Sequence, residues 1–191
     1  MQILHLVLAV LVLRSNSCCA NYNLAGPYEC TIEDMTDCKN VGSGLVQHHL
    51  KVRKVNATTR LLQGGTDFKI PLDENMSYEL NAAKWGAGGW GRNAYKMKGD
   101  DFCSMFHDTT FELFESYSKA LGAAQQCPIP AVSTQGTYDI ESGMELTFKN
   151  FKKFPSLPYG RYLAELKLFM GEELVGCIEI TTSIDEVPNN N

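Results

Sequence analysis

The sequence predicts a mostly β protein, and three observations carry this prediction. Apolar and polar residues alternate over several short segments, which is the pattern of strands with one buried face. Clusters of Gly, Asn and Ser separate these segments, as turns between antiparallel strands do. One segment, from Asp108 to Ala124, shows helical spacing instead. At 191 residues, the chain is long enough for one domain with a buried core.

The first twenty residues have the features of a secretory signal peptide. Ile3 to Leu13 is almost entirely aliphatic, and Cys18-Cys19-Ala20 supplies small residues at a cleavage site. The apolar run is too short to span a bilayer as a membrane anchor. We therefore expect a signal peptide at 1–20, a secreted domain at 21–184 and a polar tail at 185–191. A cut a few residues earlier would leave Cys18 and Cys19 on the mature chain.

The composition argues against several classes of function. The formal net charge of -5 is mildly acidic, so nothing indicates a nucleic-acid partner. The sequence shows no metal-ligand cluster, no phosphate-binding loop and no Ser–His–Asp order. We therefore predict no cofactor and no metal site.

Two strands are predicted before the first glycine-rich segment. Tyr28 to Ile32 is expected to form a short strand, and Leu45 to Val55 a longer one. His48 and His49 are neighbours in the second strand and must point to opposite faces. They cannot hold one metal ion together, and we expect one to be partly buried and the other solvated.

The next segment is expected to hold three strands and two glycosylation sites. Thr58 to Leu72 reads as a strand pair broken at Gly64-Gly65, and Met76 to Trp85 reads as a further strand. Asn56 and Asn75 each begin an Asn-x-Ser/Thr acceptor sequence, which predicts N-glycosylation in exposed loops.

The segment from Trp85 to Gly91 is the richest in glycine, and both tryptophans of the chain flank it. One interpretation is an apolar loop at the rim of the fold, where Trp85 and Trp90 touch lipid or a membrane surface. The other is a long hairpin loop whose tryptophans fold back onto the core. The sequence does not separate these two.

Asp108 to Ala124 is predicted to be the one helix. Thr109 and Glu112 have the spacing of a capping box, and Phe111 and Phe114 share an apolar face. Gly122 marks the end. Cys103 and Cys127 bracket the helix, which is expected to lie over one end of the sheets. Such an aromatic stripe forms core more often than it forms a ligand site.

Strands return after the helix. They are predicted between Thr134 and Phe154, and Leu157 to Ser183 reads as a β-hairpin with a turn at Gly171. In its first arm one face carries an apolar row, and the other carries Glu165 and Lys167. The row consists of Tyr162, Ala164, Leu166 and Leu168.

The last hairpin also resembles that of a known family. A Gly-x-Tyr strand, a short turn and the run Gly176-Cys177-Ile178-Glu179-Ile180 are similar to the final hairpin of the ganglioside activator proteins, which belong to the ML lipid-recognition fold. The likeness extends back through Cys127-Pro128-Ile129-Pro130 and Gly136-Thr137-Tyr138 to Asp101-Phe102-Cys103. It covers the C-terminal half by motif and the N-terminal half by strand pattern alone.

The resemblance implies a fold, a pairing of cysteines and a location. The fold is a two-sheet antiparallel β-sandwich or β-cup with an internal apolar cavity. In an oxidising compartment the cysteines are expected to form disulfides, and the family pattern pairs Cys38 with Cys177 and Cys103 with Cys127. Cys30 is then unpaired, or is itself the partner of Cys177. The location is extracellular or lysosomal.

The function implied is that of a lipid-binding protein with no chemistry of its own. Its partners would be a lipid ligand, transiently a membrane surface, and a glycosidase or receptor to which the lipid is presented. An extracellular carrier of an apolar ligand is the alternative, because 30–62 and 151–162 also resemble insect chemosensory relatives of the same fold. A protein with a filled core is a third. The expected lipid-binding residues are Trp85, Trp90, Phe111, Phe114, Phe148, Phe151, Phe154, Tyr162, Leu166 and Leu168.

One further motif resembles a catalytic pattern. Gly89-Trp90-Gly91, Cys103 and His107-Asp108 are similar to the calcium loop and the Cys-x-x-x-His-Asp helix of secreted phospholipases, in which a histidine activates water and calcium stabilises the oxyanion. Ser104 and Thr109 stand where that family has cysteines. An Asp at a helix start also has a structural explanation, so we do not expect an enzyme.

Overall fold

The computed structural model describes residues 25–57, 59–131, 138–149, 151, 154 and 156–187. The expected signal peptide lies outside these residues, as does most of the tail. The elements in chain order are β1 (Ala25–Gly26), β2 (Tyr28–Asp37), β3 (Val46–Lys54), β4 (Arg60–Phe68), β5 (Met76–Gly86), β6 (Gly89–Gly99), α1 (Phe102–Thr109), α2 (Phe111–Leu121), β7 (Tyr138–Glu145), β8 (Thr147–Lys149), β9 (Leu157–Pro158), β10 (Gly160–Met170) and β11 (Glu173–Glu186). The predicted fold class is confirmed: the chain is mostly β, with two antiparallel sheets and small helices.

The larger sheet has six strands in the order β6-β5-β10-β11-β2-β8. Its centre is the predicted C-terminal hairpin, in which β10 and β11 pair from Gly160 opposite Ile184 to Met170 opposite Glu173. β11 continues through Asp185 and Glu186, which pair with β2, so the strand runs into the segment expected to be a polar tail. β2 is likewise longer than the predicted strand and reaches Asp37.

The smaller sheet has three strands in the order β3-β4-β7. It approaches the larger sheet most closely where β3 begins, beside the start of β11. A Cβ placed on Gly176 would lie 2.8 Å from Cβ of Val46, which is closer than side-chain carbons approach. Glycine at this position therefore allows the two sheets to meet.

The predicted break at Gly64-Gly65 is wrong, because one strand, β4, runs through both residues. Gly64 has φ of 98°, and a Cβ there would lie 2.0 Å from the carbonyl oxygen of His49. The pairing of β4 with β7 shifts register between Leu62 and Gly64. The glycine pattern thus marks a bulge inside a strand, where backbones approach closely, and not a turn.

The glycine-rich segment also forms regular structure. β5 extends to Gly86 and β6 starts at Gly89, so that Ala87 and Gly88 alone form the turn. Trp85 and Trp90 lie opposite each other in the last pairs of this hairpin. The expected long loop is therefore a tight hairpin turn. The glycines on either side of this turn lie in paired strands, where glycine is tolerated at positions without a packed side chain.

The helical segment consists of two short helices instead of one. Asp101 caps α1, and its side chain accepts a hydrogen bond from Ser104 N at 2.9 Å. The expected capping box at Thr109 is absent, because Thr109 is the last residue of α1 and its hydroxyl donates to the carbonyl of Met105. α2 ends at Gly122, which has φ of 68°, as predicted.

Both disulfides expected from the resemblance are present. Cys38 bonds to Cys177 across β2 and β11, and Cys103 bonds to Cys127, which ties the helical segment to the chain after it. Cys30 has no disulfide partner and is buried in β2.

Between the sheets the described apolar residues pack as two clusters. The larger joins β2, β8 and β11 to the smaller sheet and α2, with Tyr28 and Leu62 at 0% exposure. The second joins the starts of β3, β5 and β11 to the helices, with Val46 and Phe114 at 0% exposure. Half-buried Phe106 and Leu166 contact both clusters. The internal apolar cavity stays a prediction.

Candidate functional site

The inner face of the six-stranded sheet carries a row of apolar side chains that crosses five strands. Strand register places these residues side by side from β2 to β6, and we call them the five-strand row: Met35, Ile180, Ala164, Ala82 and Tyr95. Ala82 is buried, Met35, Ile180 and Ala164 are half-buried, and Tyr95 is 46% exposed. Four of these five side chains are therefore not fully buried, although Met35 and Ile180 also pack against the larger core cluster.

The rows on either side of the five-strand row differ in cover. On one side Leu166 lies opposite Leu80 of β5 and Ile178 of β11, and Ile178 is only 3% exposed. On the other side Tyr162 lies opposite Lys84 and Thr182. The Lys84 ammonium lies 5.5 Å from the centre of the Tyr162 ring. The five-strand row thus lies between two different rows. The Leu166 row, which we call the floor, is apolar and covered, and the Tyr162 row, which we call the rim, is polar and aromatic.

Four of the ten expected lipid-binding residues belong to the packed core. Phe114 is fully buried, Leu168 is 2% exposed, and Phe148 and Phe151 are 8% and 6% exposed. Their neighbours are core side chains: Phe148 stacks on Phe151 with ring centres 5.9 Å apart. These residues shape the interior, and in the described structure they offer little surface to a ligand.

Four others are half-buried. Tyr162 and Leu166 lie on the inner face of β10 beside the five-strand row. Phe154 packs against the larger core cluster, and Phe111 meets the His107 ring edge-on at 5.3 Å. Tyr162 and Leu166 pack against the same cluster, and they are the two expected residues that lie beside the five-strand row.

The two tryptophans form the tip of the β5–β6 hairpin. Trp85 is 50% exposed and meets Trp90 in a T-shaped contact with ring centres 5.1 Å apart. The guanidinium of Arg161 lies 5.7 Å from the Trp90 ring centre, and its Nε donates to Glu33 at 2.6 Å. The tip therefore combines an exposed indole with a guanidinium that is paired with Glu33.

A polar chain runs through the interior from β3 to α2. His48 Nδ1 and the Tyr117 hydroxyl both bond Thr66 Oγ1, which is fully buried. His48 Nε2 is also sealed from solvent and has no hydrogen-bond partner among the described residues. Burial, with a smaller contribution from His49, lowers the pKa of His48 to about 4, and burial raises the pKa of Tyr117 to about 12. Both side chains are therefore neutral at pH 7.

The contrast between the two histidines agrees with the strand prediction. His48 points between the sheets, whereas the His49 side chain is 58% exposed and lies 3.2 Å from a carboxylate oxygen of Asp67. Within the described chain, the one group of His, Cys, Asp and Glu close enough to share a metal ion is Cys38, Glu165 and Cys177. Its two cysteines form a disulfide, so they do not offer thiolates to a metal.

The phospholipase-like residues are placed differently from their pattern. His107 Nδ1 bonds the carboxylate of its own neighbour, Asp108, at 2.9 Å, and the ring packs against Phe114 at 5.1 Å. Gly89-Trp90-Gly91 is part of the hairpin tip and forms strand pairs with β5. That segment is therefore a paired strand in this fold.

The expected glycosylation sites lie at the surface. Asn56 is exposed in the β3–β4 connection, where its Oδ1 accepts a hydrogen bond from Thr59 N at 2.8 Å. Thr58 of that acceptor sequence lies outside the described residues. Asn75 is exposed just before β5 begins.

Sequence reasoning missed most of the five-strand row. Met35 and Tyr95 lie in strands that were predicted too short or not at all, Ile180 lies in a predicted strand but was not assigned to the site, and the alanines look unremarkable alone. The even spacing of Tyr162, Ala164, Leu166 and Leu168 was a usable signal. Within this row, the side chain of Ala164 is too small to fill the interior of a sandwich.

None of the helices in the described part of the chain is long and apolar enough to span a bilayer. No protein-family model matches the sequence, and no characterised protein matches it significantly.

Proposed function

We propose that this is a secreted lipid-binding protein, which takes up a lipid and presents its headgroup to an enzyme or receptor. The observation that carries the proposal is the five-strand row, in which adjacent apolar side chains on the inner face of a sheet are only partly buried. Accessible apolar side chains that lie together often mark a ligand site. The acyl chain of the lipid lies against Ala164, Tyr162 and Leu166 in this proposal.

The driving force is the removal of apolar surface from water. Each buried methylene of a ligand contributes about 0.8 kcal/mol, so a long acyl chain gains many kcal/mol before the loss of its freedom is subtracted. Alanines at Ala82 and Ala164 leave room for the chain where larger residues would fill the space. Half-buried Met35 is unbranched and adapts to different chain shapes.

The hairpin tip is the part that meets the membrane. Trp85 has an apolar ring with a polar N–H, and such rings favour the boundary between headgroups and acyl chains. Lys84, next to Trp85 in β5, supplies positive charge toward lipid phosphates, whereas Arg161 is already paired with Glu33. A transient contact of this kind would place the rim next to a lipid that is leaving the bilayer.

Secretion and glycosylation belong to the same proposal. Two disulfides are typical of an oxidising compartment. Asn56 and Asn75 are both exposed, as acceptors of a glycan must be. Because the expected action is physical transfer, no residue is assigned a catalytic role.

Native mass spectrometry of the secreted protein, followed by solvent extraction and lipid analysis, tests the proposal. A co-purifying lipid at near-stoichiometric amount is the expected result, and it also identifies the ligand class. An empty protein that takes up no lipid from vesicles would leave a filled core as the better account. Calcium-dependent hydrolysis of phospholipid that is lost in His107→Ala would overturn the proposal in favour of an enzyme.

Two binding measurements on the same protein distinguish the activator role from the carrier role. Extraction of a glycolipid from vesicles at acidic pH supports presentation to a lysosomal glycosidase. Tight binding of a soluble apolar ligand at neutral pH, without extraction from vesicles, supports an extracellular carrier.

A further inference from the structure

One long edge of the six-stranded sheet is left uncovered. β6 is the outermost strand, and among the described strands it pairs with β5 alone. All five residues from Arg92 to Lys96 are exposed, and Lys98 is exposed as well. An edge strand presents backbone N–H and C=O groups that can pair with an added strand. The other end of the sheet, β8, spans three residues only.

The two faces of β6 differ in chemistry. Register places Tyr95 and Met97 on the inner face, opposite Ala82 and Leu80. Lys96 and Lys98 alternate with them and therefore point to the outer face. From Gly89 to Gly99 the strand contains basic residues and no acidic residue. A guest strand that fits this edge must therefore be apolar on one side and acidic on the other.

The lysines of β6 also border open space on the outer face of the sheet. A depression of about 520 Å³ lies over β6, β5 and β10, where Glu79, Glu165 and Lys167 line it together with Lys96 and Lys98. A second, of about 440 Å³, shares Glu79 and Lys98 with the first. The regular ladder is limited to Tyr95–Gly99, because the strand bulges at Arg92–Ala94 and Asn93 has φ of 59°. A guest therefore pairs over about five residues.

Charge argues against a second copy of this chain as the guest. Two β6 edges would bring Lys96 and Lys98 close to the same lysines of the other copy. The exposed edge of the smaller sheet, β3, carries Lys51, Arg53 and Lys54 and would repel β6 in the same way. Like charges placed opposite each other in a sheet are destabilising.

We propose that β6 is a docking edge for an extended segment of another protein in which acidic and apolar residues alternate. The guest strand adds to the sheet beside Tyr95–Gly99, with its acidic side chains next to Lys96 and Lys98. Its apolar side chains lie next to Tyr95 and Met97. This docking does not require a bound lipid, so it stands independently of the lipid-binding proposal.

The test uses the full secreted chain and a fluorescent peptide in which Glu and Val alternate. Binding is followed by fluorescence anisotropy, and the pairing by hydrogen exchange of the β6 amides. We expect saturable binding, added protection confined to β6, and binding weakened roughly tenfold or more in the double variant Lys96→Glu, Lys98→Glu. The same variant should bind a peptide of alternating Lys and Val.

Two controls keep the test specific. The double variant Lys51→Glu, Arg53→Glu reverses charge on the other basic edge and should bind the Glu–Val peptide as the wild type does. A Glu–Val peptide with alternate backbone nitrogens methylated keeps its charge but cannot extend a sheet, and it should not bind. Thermal unfolding checks that the exposed substitutions leave the fold intact.

Several outcomes overturn the proposal. If the methylated peptide bound as tightly as the unmethylated one, binding would come from charge attraction to the lysines alone, without strand addition. Absence of binding by the wild type to the Glu–Val peptide would mean that the lysines serve only to keep the edge unpaired. A wild-type dimer that dissociates in the Lys96→Glu, Lys98→Glu variant would assign the edge to a second copy of the chain.

Discussion

Ala164 of β10 lies directly opposite Ala82 of β5, and both point to the inner face of the six-stranded sheet. Two alanines side by side remove volume from the middle of the five-strand row. Tyr162, at the rim, and Leu166, at the floor, are much larger. The pair therefore places two small side chains between larger ones in the middle of the sheet.

A large side chain in place of Ala164 should strongly reduce lipid binding. In Ala164→Trp an indole occupies the space that the acyl chain takes in our proposal, and we expect lipid uptake from vesicles to fall at least roughly tenfold. Since Ala164 is half-buried, the added ring can extend toward solvent, and the loss of folding stability should stay within about 1–3 kcal/mol.

Ala83→Trp is the matched control for this substitution. Ala83 is also a half-buried alanine, but it lies on the outer face, opposite Leu163. Lipid uptake should be unchanged in this variant. Equal loss in both variants would show that the indole acts through stability and would remove support for the inner face as the binding site.

The exposed tryptophan makes a separate prediction about membranes. Trp85→Ala should weaken binding to vesicles that contain anionic lipid, because the indole at the hairpin tip is the apolar group that enters the interface. Vesicle co-sedimentation measures the change, and tryptophan fluorescence of the wild type should shift to the blue on binding. Phe169→Ala, at the opposite end of β10, should have no effect. A variant that binds vesicles as the wild type does would exclude the tip as the contact.

The sequence predicted well those parts of the fold that depend on local residue patterns, such as apolar spacing and the position of glycines. The C-terminal hairpin followed from an even spacing of apolar residues over a long run and a glycine turn, which few other structures satisfy. The end of α2 followed from Gly122, whose φ of 68° is open to glycine at little energetic penalty. Both disulfides followed from the family resemblance and not from spacing.

The parts that went wrong depend on contacts between distant residues. Gly64 was taken for a turn because its role, close approach of its backbone to His49, is visible only in three dimensions. The break between α1 and α2 was invisible because Thr109 bonds back to Met105 instead of capping the next helix. For the site, core and ligand-facing residues are equally apolar, so Phe114 and Leu166 could not be distinguished by sequence.

Removing the disulfides should reveal the effect of loop length on stability. Cys38 and Cys177 are 139 residues apart and Cys103 and Cys127 are 24 apart, so loop-closure entropy predicts losses of about 5 and about 3.5 kcal/mol. Chemical denaturation of the two double Cys→Ala variants measures the difference. Cys30→Ala is the control: this cysteine is buried but closes no loop, so the loss should be about 1 kcal/mol. An equal loss in all three variants would mean that packing, and not loop closure, dominates.

The buried histidine makes the stability of the protein depend on pH. His48 Nδ1 is bonded to Thr66 and its Nε2 is sealed from solvent, so a proton on this ring would introduce a buried charge. The Asp37 carboxylate accepts a hydrogen bond from the backbone N–H of His48 at 3.1 Å. Burial raises the pKa of Asp37, whereas this hydrogen bond and His49 lower it. Burial is the largest effect, so the charged carboxylate is itself disfavoured in the folded state.

Stability should therefore fall as the pH is lowered from 6.5 toward 4. The folded pKa of His48 is lowered to about 4 from an ordinary value of 6.5, so in this window the unfolded chain binds the proton and the folded protein does not. The full loss of stability from this titration is about 3 kcal/mol.

Asp37 acts in the opposite direction near pH 4, because its raised pKa stabilises the fold at low pH. The slope of stability against pH is therefore best measured between pH 5 and 6.5. Urea unfolding across this range should show a shallower slope in His48→Gln than in the wild type. A His48→Gln variant with an undiminished slope would assign the titration to another group, whereas the expected result means that acidic compartments destabilise this protein unless a bound lipid compensates.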